Sequence, residues 1–150
     1  MTYLERITYE TGNVVANAQF VLKNAYRLKV LLEDLKGLND YTKGSQALFI
    51  AEDKAKKAFE DARGKASEEI LKAFEESPLS ERDKKELRSV LLKRDYVVFS
   101  YFVENAYALG KEDVAIYESK INELQDIVSL ERKLNGRLCE EADKVYPQYQ

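Results

Sequence analysis

Residues 94–110 read R-D-Y-V-V-F-S-Y-F-V-E-N-A-Y-A-L-G, and their helical phasing decides the fold class. At about 100° per residue the stretch is apolar around nearly its whole circumference, the pattern of a helix covered by neighbours on most sides. It is therefore expected to be the central helix of an all-α domain. One stripe carries Leu87, Leu91, Val98, Tyr101 and Leu109, with Arg94 and Asn105 interleaved as polar residues in core positions. The opposite side carries Tyr96, Phe99, Val103 and Tyr107, a second apolar face that one bundle core does not cover.

The neighbouring segments follow the same grammar. Ser80 and Asp83 provide a cap and a first-turn acid after Pro78, and Gly110 stops the helix, which predicts 81–109. At the N-terminus, Thr2-Tyr3-Leu4-Glu5 forms a capping box. A seam then runs from Leu4 through Ile7, Val14, Val21 and Leu28 to Leu35 in alternating steps of three and four, predicting one helix over 3–36 closed by Gly37. Gly12 would split it, but the seam continues past Gly12 unbroken. After a turn at Leu38 to Gly44, a second helix is predicted over 45–76 on an alanine-rich seam of Ala51, Ala55, Ala58, Ala62, Ala66, Ile70 and Ala73. Past Ala62 the spacing lengthens, which locally relaxes a left-handed supercoil. The last helix is predicted over 112–146, from Glu112 and Asp113 to Pro147, with Glu131 near the middle of its seam and Asn135 and Cys139 beside it. Four such helices with short turns predict a single domain over residues 1–150, an antiparallel up-and-down four-helix bundle.

Composition narrows the function. A net charge of −3 argues against a nucleic-acid partner. Acids surround the short basic clusters Lys54, Lys56, Lys57 and Arg132, Lys133, Arg137, so both are expected to be solvated helix faces. One cysteine, no leader-like start and no long apolar run predict a cytoplasmic protein that does not enter membranes. The chain contains no histidine, which removes the Glu-x-x-His pairs of di-iron bundles and any Ser-His or Cys-His nucleophile. No metal or cofactor is expected, because Glu131 is the one acid clearly on a seam while Glu10 and Glu104 lie at edges. Asp83-x-x-Glu86 and Glu123-x-x-Asp126 share the spacing of the paired acids in helical nucleotide pyrophosphohydrolases, a spacing that arises readily among 27 acidic residues.

The run from T-Y-L-E-R-I-T-Y-E-T-G-N-V-V to L-L-E-D-L-K-G-L-N-D resembles a small uncharacterised archaeal four-helix-bundle family. The resemblance implies an archaeal cytoplasmic protein with no assigned activity, and it brings no active-site motif.

Two functions fit this pattern. In the first, the protein is a non-enzymatic interaction or assembly module that self-associates, most simply as a dimer, through Tyr96, Phe99, Val103 and Tyr107. In the second, a helical bundle binds or transforms a polar or anionic small molecule with Arg94, Asn105, Glu131 and Asn135. Folding the third and fourth helices back about Gly110 places Arg94 within about 6 Å of Glu131 along the axis at 1.5 Å per residue, so an interior ion pair is expected between them.

Overall fold

The computed structural model describes residues 1–35 and 41–145, with only the backbone described for 41–45, and every regular element among them is an α-helix. In chain order these are α1 (Tyr3–Leu35), α2 (Tyr41–Ala62), α3 (Ser67–Glu75), α4 (Glu81–Phe99), α5 (Tyr101–Leu109) and α6 (Val114–Val145). The expected caps form. The Glu5 amide donates to Thr2 Oγ1 at 3.1 Å while the Thr2 amide donates to the Glu5 carboxylate at 3.1 Å. Ser80 Oγ accepts from the Asp83 amide at 3.1 Å. At the start of α6 Asp113 accepts from the Ala115 amide at 2.9 Å. The expected Gly37 cap and the Pro147 stop lie outside the described residues.

The centre of the molecule is α1 rather than residues 94–110. Helices α2, α4 and α6 all pack on it, and its seam positions Ile7, Val14, Val21, Leu28 and Leu35 are buried as predicted, with Leu22, Tyr26 and Leu31 widening the stripe. A helix flanked on three sides needs a wide apolar band, and α1 has one.

Two predicted helices are broken. The expected 45–76 helix starts earlier, at Tyr41, and is interrupted at Arg63–Ala66, where the Lys65 amide donates to the Ala62 carbonyl at 3.0 Å. Where the lengthened spacing predicted a relaxed supercoil, the chain instead turns back on itself. Arg94 bonds Ser67 at the start of α3 and Lys84 bonds the Glu75 carbonyl at its end, so α3 runs antiparallel to α4. The turn also rotates the buried face: Leu71 and Phe74 enter the core while Ala66 and Ala73 are exposed. The expected 81–109 helix is interrupted at Ser100, although its amide still donates to the Tyr96 carbonyl and its carbonyl still accepts from the Glu104 amide, both at 2.9 Å.

The extra reversal changes the topology. An up-and-down four-helix bundle sets its first and last helices antiparallel. In this protein α1 and α6 are parallel: Tyr3 stacks on Tyr117, Asn24 bonds Asn135 and Arg27 faces Asp143, so both numbers rise together. The hairpin of α4–α5 with α6 is antiparallel as predicted, with Asp83 on Arg137 at one end and the Tyr117 hydroxyl donating to the Leu109 carbonyl at the other.

The core divides accordingly. One cluster draws on α1, α2, α3, α4 and α6, including Leu22, Leu28, Ile70, Phe74 and Leu91. The other, built on Ile7, Val14, Val97, Tyr101 and Leu124, holds no buried residue from α2 or α3. Half of the molecule is thus packed by three rods only: α1, α4–α5 and α6.

Two exposed glycines weaken the long helices without any packing reason. No atom lies within 4 Å of the place a Cβ would take at Gly12 or Gly136. Alanine at either position is expected to add about 1 kcal/mol by removing backbone entropy from the unfolded chain. Thermal unfolding of the Gly12→Ala/Gly136→Ala double variant checks this; an unchanged midpoint would mean that the helices are locally frayed there.

Candidate functional site

Two places concentrate chemistry, and each arises from how α4 is placed. The first is a groove between α4 and α6, a pocket of about 260 Å³. At one end Asp83, wholly buried in the first turn of α4, accepts from Arg137 Nε at 2.9 Å and lies 2.8 Å from its Nη2. The same guanidinium bonds Glu86. Burial would raise the Asp83 pKa, but hydrogen bonds with Glu141 and Arg137 outweigh it and hold the carboxyl below its ordinary value. Glu141 goes the other way, to about 7, through burial and then through its bond to Asp83, the acid form of Glu141 donating to the Asp83 carboxylate.

The same groove is lined by Glu131, 1% exposed, and neither of its carboxylate oxygens has a hydrogen-bond partner among the described residues. Burial raises its pKa to about 8, opposed by the positive charge of Lys93. At neutral pH it is therefore mostly the uncharged acid.

The expected Arg94–Glu131 ion pair does not form. The hairpin register puts the two at similar heights, but Arg94 is turned toward α3, where its Nη2 donates to Ser67 Oγ at 2.7 Å and lies 3.2 Å from Asp95. Height along a helix is set by register, while direction is set by phase, and one residue shifts the phase by about 100°. The other interior candidates are also dispersed. Asn135 Oδ1 accepts from Asn24 Nδ2 at 2.6 Å, tying α6 to α1. Asn105 is buried at the three-rod end, donating to the Tyr101 carbonyl at 2.7 Å and the Tyr96 hydroxyl at 3.2 Å. Arg94, Asn105, Glu131 and Asn135 thus belong to separate surroundings.

The second place is the outer face of α4–α5. Phe99, Val103 and Tyr107 are 75%, 80% and 81% exposed. Tyr96, predicted to join them, is half-buried, with its ring edge-on to Tyr101 at 5.9 Å. Val98, predicted to face the core, is exposed together with Phe102, while Val97 is buried instead. The spacing explains this. Positions 94, 98 and 102 step by four along one stripe, and α3 covers that stripe only down to Arg94. Below that point α3 has ended, and Val98 and Phe102 lie bare. Spacings of three and four also join them to Phe99, Val103 and Tyr107, so the five make a continuous apolar strip. The Lys111 ammonium lies 4.6 Å from the Tyr107 ring centre at its end.

The acid pairs resembling those of nucleotide pyrophosphohydrolases do not converge. Asp83 and Glu86 are held by Arg137, whereas Glu123 and Asp126 are exposed about 17–21 Å from Arg137 along α6 at 1.5 Å per residue. Among the described residues no group of three or more His, Cys, Asp or Glu is placed to hold a metal ion, and no helix is long and apolar enough to cross a membrane. No family model, no curated protein and no solved structure matches the chain.

Sequence reasoning missed Asp83, Lys93 and Arg137. The acids around Arg137 in the sequence suggest a solvated face, yet it is the counter-ion of the buried Asp83. The signal was present: the hairpin register applied to Arg94 also sets Asp83 opposite residue 138, next to Arg137.

Proposed function

We propose that the protein is a non-enzymatic interaction module that self-associates through the bare face of α4–α5, most simply as a two-fold dimer. The observation that carries this reading is the three-rod end of the molecule. Because α2 and α3 turn back at Arg63–Ala66, no fourth rod among the described residues accompanies α4–α5 below Arg94, and the strip a fourth helix would cover is apolar and exposed. At roughly 150–250 Å² per aromatic side chain, the exposed parts of Val98, Phe99, Phe102, Val103 and Tyr107 amount to on the order of 600 Å². That is the upper end of what a monomer leaves in contact with water. Two such faces placed together bury about 1,200 Å² in all, the lower bound for a specific protein interface.

A second copy suits this face because the strip carries no charge of its own and a two-fold axis brings the same apolar patch of both copies together. The lone Cys139 is consistent with a reducing compartment, which supports a cytoplasmic location.

Replacing Phe99 and Val103 by Asp is expected to convert a dimer to a monomer at micromolar concentration while leaving the melting temperature of the monomeric fold unchanged or higher. Light scattering after size exclusion decides it. A wild type that is monomeric at every accessible concentration would defeat the proposal.

A further inference from the structure

We propose that the groove between α4 and α6 binds a small amphipathic carboxylate, with its hydrocarbon part along Val90, Ile127, Leu130 and Leu134 and its headgroup taken by Lys93 and Glu131. The site lies apart from the self-association face and does not depend on it.

Three observations converge on this ligand class. The groove is a defined pocket of about 260 Å³, just below the range typical for drug-sized molecules, which suits a chain of a few carbons with one polar end. Its lining combines two chemistries: Val90 of α4 and Ile127, Leu130 and Leu134 of α6 are aliphatic, and Arg82, Glu86, Lys93, Glu131, Lys133 and Arg137 are ionisable. Finally, Glu131 in that lining is buried with neither oxygen partnered among the described residues, and a buried polar group without a partner is costly unless something supplies one.

The balance of charge selects an anion. The basic residues in the lining are Arg82, Lys93, Lys133 and Arg137. Arg137 is neutralised by Asp83 and Glu86, and Arg82 lies 3.4 Å from Glu86. Lys93 and Lys133 have no carboxylate within salt-bridge distance among the described residues. Glu131 is mostly in its acid form at neutral pH, so it does not cancel their charge and has an O–H to donate. A carboxylate headgroup accepts that proton in a hydrogen bond and lies beside the Lys93 ammonium. An amine would meet two uncompensated cations.

Titration of the protein with octanoate, octylamine and octanol, followed by amide chemical shifts, tests the proposal. Octanoate is expected to bind at least ten-fold more tightly than the other two, with shifts centred on residues 86–93 and 127–137. Lys93→Met is expected to reduce octanoate affinity about ten-fold, and Lys93→Glu to abolish it, with circular dichroism confirming that both variants are folded. Equal binding of octanol and octanoate would reduce the groove to a non-specific apolar cleft and overturn the assignment. Preference for octylamine, or shifts confined to the exposed face of α4–α5, would overturn it as well.

Discussion

Glu131→Gln is expected to be more stable than the wild type by on the order of 4 kcal/mol near pH 9, and to differ little from it near pH 5. The sign follows from linkage. Glu131 has a folded-state pKa raised from 4.5 to about 8 by burial, so the folded protein holds a proton that the unfolded chain releases. Its contribution is fully present below about pH 4.5 and is lost as pH rises toward 8, at about 1.4 kcal/mol for each unit of separation. Glutamine is uncharged throughout and removes that slope. Glu141, raised to about 7, acts in the same direction and leaves a smaller residual slope in the variant. Asp83 and Glu86 lie below their ordinary values, so their contributions are lost only in acid, outside this window. Urea unfolding of both proteins across this pH range measures the difference. A wild type equally stable at both ends would mean that ionised Glu131 swings to a partner, with the Lys93 ammonium the nearest candidate.

Arg137→Ala is expected to cost about 3–5 kcal/mol, because it strands a carboxylate that is wholly shielded from water. Asp83 Oδ1 takes both of its short contacts from this guanidinium, and Glu86 shares it. By comparison, Arg88→Ala on the exposed side of α4 should change stability by less than about 0.5 kcal/mol. The double variant Asp83→Ala/Arg137→Ala should recover part of the loss, since removing both partners leaves no buried charge behind. Strictly additive losses in that cycle would mean that the two side chains do not interact. Arg137→Lys should fall between, because an ammonium keeps the charge but not the forked geometry that reaches Asp83 and Glu86 together.

Local signals were read well where the chemistry is local. The reciprocal bonds of Thr2 and Glu5, the Ser80 cap and the seam of α1 follow from residues within a turn of one another, and such interactions do not depend on the rest of the fold. The antiparallel register of α4–α5 with α6 was legible too, because a short turn at Gly110 fixes it. The candidate site was legible in part. Glu131 was recognised as buried from its place on the seam, and Phe99, Val103 and Tyr107 were recognised as an outer face. The surroundings of Glu131 were not, since Arg94 turns toward α3, and the spacing of residues 45–76 gives no sign that α3 is separate from α2.

By itself, then, the amino-acid sequence determined that the chain is all-helical, where α1 and α4 begin, and which face of α1 is apolar. It also determined that histidine-based chemistry is absent. Only the tertiary structure decided that Arg63–Ala66 is a reversal rather than a change of supercoil, and the rest follows from that turn. A heptad seam with a phase slip has the same spacing whether the helix bends or breaks. The choice between them depends on whether Leu71 and Phe74 gain more by packing against Tyr26 and α4 than an unbroken helix gains from its backbone bonds. That comparison involves residues far apart in the chain, such as the Tyr26 and Phe74 rings at 4.8 Å. With the reversal made, α1 and α6 are parallel, Arg94 is drawn to Ser67, Glu131 is left without a hydrogen-bond partner among the described residues, and the apolar strip of α4–α5 lies exposed.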